Sequence, residues 1–193
     1  MKLNIMIVGV GGQGSLLASK LLGRVMVGEG CDVKVSEVHG MSQRGGSVVT
    51  YVRCGDRVYS PIIDKGEADF IVSFEKLEAA RYADCLREGG VIVTNDQQID
   101  PMPVITGAAE YPDGVLDVLR DKGVKVDGVD ALSLALEAGS PKAVNIVLMG
   151  RLSCYLDIPE ETWLRAIEES VAPKFTEINK KAFALGRKAG KTE

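Results

Sequence analysis

The chain has 193 residues, is 46% hydrophobic and carries a formal charge of −4. That length supports one well-packed α/β domain, residues 1–193, rather than two, and the mild acidity excludes the concentrated basic surface of a nucleic-acid binder. No apolar run approaches the roughly 18 residues of a membrane span, and the opening MKLNIMIVGVGG reads as a strand and turn, not an export signal.

Leu3–Gly9 is a short apolar run ending in glycines, the pattern of a buried parallel strand. Gly14–Val27 follows with Leu16, Leu17, Leu21, Leu22 and Val25 at helical spacing, and Asp32–Val38 alternates as a second strand, which completes a Rossmann-like βαβ unit. Ser47–Cys54, the turn Gly55-Asp56 and Arg57–Tyr59 predict a β-hairpin and so a mixed sheet. Asp69–Phe74 predicts a strand, Glu75–Arg87 a helix closed by Gly89-Gly90, and Val91–Thr94 a strand. The Pro-, Gly- and Asp-rich stretch 95–113 holds a short strand at Pro103–Thr106. Beyond it come a helix at Gly114–Lys122, a strand at Val124–Val129 and a helix at Ala131–Ala138.

From Pro141 the chain turns helical. Lys142–Leu156 is apolar nearly all round and predicts a buried helix. Pro159 suits the first position of the next helix, which points Trp163, Leu164 and Ile167 inward. Lys174–Lys188 predicts an amphipathic helix. With Lys174, Lys180, Lys181, Arg187, Lys188 and Lys191 it makes this end cationic, either as a solvated face or as a contact for an acidic partner. The expected fold is a three-layer α/β/α domain with a mostly parallel, mixed sheet and a helical carboxyl end.

Cys31, Cys54, Cys85 and Cys154 form no C-x-x-C, and His39 is the only histidine. A zinc or iron–sulfur site on this chain is therefore not expected, and the cysteines read as thiols in a reducing cytoplasm.

Gly9-Val10-Gly11-Gly12-Gln13-Gly14 fits G-x-G-x-x-G between a strand and a helix. The first glycine allows the tight turn, the second a close backbone approach to a ligand, and the third close helix packing. Three readings stay open: a dinucleotide site with Glu37, 23 residues past Gly14, on the ribose; a purely structural turn; or a site for another phosphate-bearing ligand at the helix start. The chain lacks the further βα units of a nicotinamide half. Instead, His39-Gly40-Met41-Ser42-Gln43-Arg44-Gly45-Gly46 follows the second strand. Arg44 can offer a bidentate fork to a phosphate or carboxylate, Gly45 and Gly46 a nest of N–H groups, and Ser42 and Gln43 further donors. Both glycine clusters are expected at one edge of the sheet, facing one crevice. A salt bridge between Arg44 and Glu37 is the plainer alternative. No residue is assigned as catalytic.

Together, GVGGQG, EVHGMSQRGGSV and AVNIVLMGRLSCYLDIPEETW resemble one family over nearly the whole chain: the gamma-type domain of the 2-oxoacid:ferredoxin oxidoreductases. Within it the chain is most similar to the small (beta) subunits of indolepyruvate:ferredoxin oxidoreductases. The resemblance implies a non-autonomous oxidoreductase subunit. Thiamine diphosphate and 4Fe-4S clusters would sit on a large (alpha) partner, as in an α2β2 assembly. Ferredoxin would accept the electrons, and an aryl pyruvate would become an acyl-CoA. It also implies that Gly9, Gly11, Gly12, Gln13, Gly14, Ser42, Gln43, Arg44, Gly45 and Gly46 help bind coenzyme A at a shared site, with His39 and Glu37 as neighbours. A gamma subunit for pyruvate or 2-oxoglutarate, and a free-standing NAD(P)-dependent reductase, are the alternatives.

Overall fold

The computed structural model describes residues 1–38 and 46–189. Six strands form one mixed sheet: β1 (Leu3–Val10), β2 (Asp32–Glu37), β3 (Ser47–Gly55), β4 (Ala68–Ser73), β5 (Leu86–Asn95) and β6 (Lys125–Val129). Their order is β2-β3-β1-β4-β5-β6. β4, β5 and β6 extend the sheet parallel to β1, whereas β3 runs antiparallel to both β1 and β2.

The apolar runs explain the layering. Along β1, Ile5 and Ile7 enter one core, while Met6 and Val8 enter the core on the opposite face. A strand buried on both sides needs apolar residues at successive positions, as LNIMIVGV supplies. The first face is covered by α1 (Ser15–Gly28), α5 (Ala131–Ala138), α6 (Val144–Ser153), α7 (Glu160–Ser170) and α8 (Thr176–Lys188). The other carries α2 (Lys76–Arg81) and α4 (Val115–Asp121), with the single turn α3 (Met102–Ile105) in the connection between them. The three-layer arrangement expected from the sequence is the one observed.

α6 is buried nearly all round, as its composition requires. It crosses α8 at backbone contact. A Cβ at Gly150 would lie 2.2 Å from the Phe183 carbonyl oxygen, and one at Gly186 would lie 2.0 Å from that of Val147. Trp163 and Phe183 seal the neighbouring core with ring centroids 5.6 Å apart.

Several local expectations need correction. β3 does not turn back into a strand at Arg57–Tyr59. Its two edges are already occupied by β1 and β2, and the Val58 N–H donates to Asp32 Oδ2 (2.8 Å) instead of to a ladder. β2 therefore does not lie beside β1; β3 fills the gap inside the predicted βαβ unit. The helix predicted over Glu75–Arg87 stops at Arg81, a 3-10 turn covers Ala83–Cys85, and β5 starts at Leu86, opposite Ala68. Pairing with β4, reinforced by Arg87 on Asp69 (2.5 Å), overrides helical propensity there. Pro103–Thr106 is not a strand: the Ile105 N–H donates to the Pro101 carbonyl (3.1 Å), closing a helical turn over Met102–Ile105. Pro159 caps α7 from just outside it, and Glu160 is the first helical residue.

The cationic carboxyl end is largely engaged within the domain. Lys180 pairs with Glu168 (2.5 Å), Arg187 with Glu160 (3.4 Å), and Lys181 donates to the Glu137 carbonyl (2.7 Å). Lys191 lies outside the described residues. None of the described helices is long and apolar enough to cross a membrane.

Candidate anion-binding site

The glycine turn links β1 to α1 at the carboxyl edge of the parallel strands. Gly12 and Gly14 both have positive φ, 99° and 90°, which an L side chain rarely adopts. Gly14 caps α1. Among the described residues the cap has no side-chain acceptor, and the first turn carries no acid. The amino end of a 14-residue helix, unneutralised in this way, favours an anion.

Two of the predicted residues serve the turn itself. Gln13 Oε1 accepts from the Val10 N–H (2.7 Å), and its Nε2 donates to the Phe74 carbonyl (3.1 Å). A Cβ on Gly9 would sit 2.9 Å from both Gln13 Oε1 and Phe74 Cβ. Gly11, Gly12 and Gly14 instead line a cleft of about 360 Å³, together with Ser15, Glu37 and Thr50. Glu37 Oε1 accepts from Ser19 Oγ on α1 (2.9 Å). With β3 between β1 and β2, Glu37 stands two strand spacings, about 10 Å, from β1. A dinucleotide fold places its acidic residue on the strand adjacent to the glycine turn, so the nicotinamide geometry is not reproduced.

The second glycine cluster meets the first through one described residue. The Gly11 N–H donates to the Gly46 carbonyl across 2.9 Å, and Val10 faces Ser47 in the β1–β3 register. Gly46, the last residue of the second cluster, therefore lies at the same edge of the sheet as the first cluster. His39, Ser42, Gln43, Arg44 and Gly45 lie outside the described residues.

Sequence reasoning missed Asn145. It is buried on α6, donates through Nδ2 to the Gly14 carbonyl (3.2 Å), and supports the turn from below. The signal was a single amide inside the otherwise apolar AVNIVLMG. A wider groove of about 910 Å³ shares Leu16 and Glu37 with the smaller cleft and continues past Lys20 and Arg24 to Arg165 on α7.

The cysteines do not converge. Cys54 is buried in one core, with Cys31 packed at its margin; Cys85 lies in the other core, and Cys154 is exposed. Burial, followed by the neighbouring Cys31, pushes the Cys54 thiol up to about 11. No group of three or more potential metal ligands occurs among the described residues.

Comparison with known proteins decides the family. Residues 4–189 match the family model for pyruvate ferredoxin/flavodoxin oxidoreductase. The chain belongs to that family. It is 47% identical over 195 residues to the indolepyruvate oxidoreductase subunit IorB of Thermococcus kodakarensis, an alignment covering 97% of this chain and 96% of the relative. Among solved structures, the gamma subunit of a keto/oxoacid ferredoxin oxidoreductase from Geobacter sulfurreducens superimposes with a TM-score of 0.71 at 22% identity, over 96% of both chains. A 2-oxoglutarate:ferredoxin oxidoreductase from Magnetococcus marinus, solved with 2-oxoglutarate, coenzyme A and succinyl-CoA, has the same fold (TM-score 0.73, 20% identity). The match covers 97% of this chain but 30% of that one. The family fold thus occurs both as a free-standing subunit and as a segment of a longer chain.

Proposed function

We propose that the chain is the small subunit of an aryl-pyruvate (indolepyruvate):ferredoxin oxidoreductase, and that its glycine-lined edge binds the phosphates of coenzyme A. The observation that carries the first part is the near-full-length identity to IorB. The second part is supported by the open cap of α1, by the joined glycine clusters and by the cationic loop sequence ending in Gly46.

In this reading a larger partner would supply thiamine diphosphate for the decarboxylation chemistry and iron–sulfur clusters for electron transfer to ferredoxin. This chain contributes binding. N–H groups at the α1 terminus and the Arg44 guanidinium meet phosphate oxygens, and the groove along α1 gives the remainder of an extended thioester carrier a place to lie. Gly9 and Gln13 act indirectly, by holding the turn. Gly45, Gly46, Ser42 and Gln43 complete the donor set from the second loop, with Glu37 and His39 beside it. An α2β2 assembly and a cytoplasmic location belong to the same proposal.

The test is reconstitution. The large subunit is assayed under anaerobic conditions for indolepyruvate-dependent ferredoxin reduction and acyl-CoA formation, with and without this chain. Turnover that requires both chains is expected. Full turnover by the large chain alone would overturn the proposal.

A further inference from the structure

The glycine-edge reading leaves Glu78 without a role, although its carboxyl is among the most enclosed acids of the domain. Its side chain on α2 is 6% exposed. Oε1 accepts from Arg81 Nε at 3.1 Å, and Oε2 accepts from the Ser47 hydroxyl in a short contact. The Tyr82 hydroxyl lies 3.3 Å from the same Ser47 oxygen. The Glu78 N–H is held by Glu75 Oε2 at 2.9 Å, and the buried Glu75 is itself braced by the Tyr111 hydroxyl. Two neighbouring carboxylates sunk into a helix–sheet seam oppose folding unless their partners are fixed. Here one of those partners is Ser47, the first residue of β3.

Ser47 stands at a junction. It faces Val10 across the β1–β3 ladder and directly follows Gly46, whose carbonyl takes the Gly11 N–H. The glycine turn thus holds this end of the second loop from one side, and α2 holds it from the other. Bare packing does not require a carboxylate there, since an exposed serine at a strand end is satisfied by water.

We propose that Glu78 is a positioning residue of the anion site: through the Ser47 hydroxyl it fixes the start of β3, and with it the Gly46–Gly11 junction, so that the site is preorganised for a phosphoester ligand that Glu78 never touches. The inference rests on the reading of this edge as the coenzyme A phosphate site. Preorganisation acts on affinity and leaves the chemical step on the partner untouched.

The experiment uses the assembled complex and coenzyme A itself. Ser47→Ala, Glu78→Leu, Glu78→Gln and Arg44→Ala are compared by KM for coenzyme A, by kcat, by calorimetric binding and by native mass. Ser47→Ala and Glu78→Leu are expected to raise the coenzyme A KM on the order of tenfold, the loss of one hydrogen bond to a charged group, with kcat and complex mass unchanged. Glu78→Gln can keep both partners, its amide oxygen accepting from Arg81 Nε and its NH2 donating to the Ser47 hydroxyl oxygen, so it should stay within about twofold. If Glu78→Leu does not fold, Ser47→Ala carries the test alone. A raised KM in Arg44→Ala with no change in Ser47→Ala would overturn the positioning role and leave the site reading standing. A fall in stability or kcat for Ser47→Ala at constant KM would reduce the contact to scaffolding and likewise overturn it. If neither Arg44→Ala nor Ser47→Ala alters coenzyme A binding, the site reading fails, and the inference falls with it.

Discussion

Gly11 and Gly46, 35 positions apart in the chain, are joined by one main-chain hydrogen bond of 2.9 Å. The bond exists because β3 lies against β1 and delivers the end of one glycine cluster to the middle of the other. In the proposed reading, the cleft beside this bond, lined by Gly11, Gly12 and Gly14, is where a phosphate would meet the N–H groups of the α1 terminus.

If that edge holds phosphate, Arg44 is its principal charge. Arg44→Ala in the assembled enzyme should weaken coenzyme A binding by about 1.5–3 kcal/mol, roughly a ten- to hundredfold rise in Kd. Calorimetry at two salt concentrations checks it, and an unchanged Kd would remove Arg44 from the ligand set.

Asn145 is expected to act on the same edge through stability. Asn145→Ala removes the side-chain donor to the half-buried Gly14 carbonyl, which keeps only the Leu17 and Ala18 N–H groups of α1. A loss of about 1–2 kcal/mol should follow in denaturant unfolding.

The α6–α8 crossing should be far less tolerant. Either Gly150→Ala or Gly186→Ala drives a methyl into a main-chain carbonyl of the other helix, which cannot move aside as a side chain would. Each is expected to cost about 3 kcal/mol, visible as a large fall in Tm. A change near zero would contradict the close approach.

Asp130 supplies a pH test. It caps α5 by accepting from the Ser133 N–H (3.0 Å), and those Ser133 hydrogen bonds hold its carboxyl below the ordinary value of 3.8. A folded-state pKa below the unfolded one means that the stabilisation is present above the unfolded value and lost as pH falls through the folded one. Asp130→Ala should therefore cost about 1 kcal/mol at neutral pH. The gap to the parent chain should close as the solution is acidified below the ordinary carboxylate range, as followed by Tm against pH.

The parts of the fold that sequence made legible were those with a strong local pattern. Ile5–Val8 is apolar at four successive positions and so on both faces, and the burial of this strand could be read directly. The glycine turn carried its own spacing. β3 was harder: SVVTYVRC is plainly a strand, but nothing local says that it slides between β1 and β2 instead of pairing with Arg57–Tyr59. Strand partners are a long-range choice, settled by which edges are free. The same competition shortened α2, where EKLEAARYADCLR has good helical composition yet its last residues pair with β4. Glu78 was invisible for a related reason. In sequence it is one acid on a charged helix, and its burial against Ser47 depends on where β3 begins.

The most direct measurement is a pull-down of this chain at native expression level from its own anaerobic lysate, with partners identified by mass and the eluate analysed for thiamine diphosphate and iron. A large stoichiometric partner bearing both is the expected result. A chain recovered alone, or bound to proteins bearing neither, would contradict the reading of it as one part of a divided 2-oxoacid oxidoreductase.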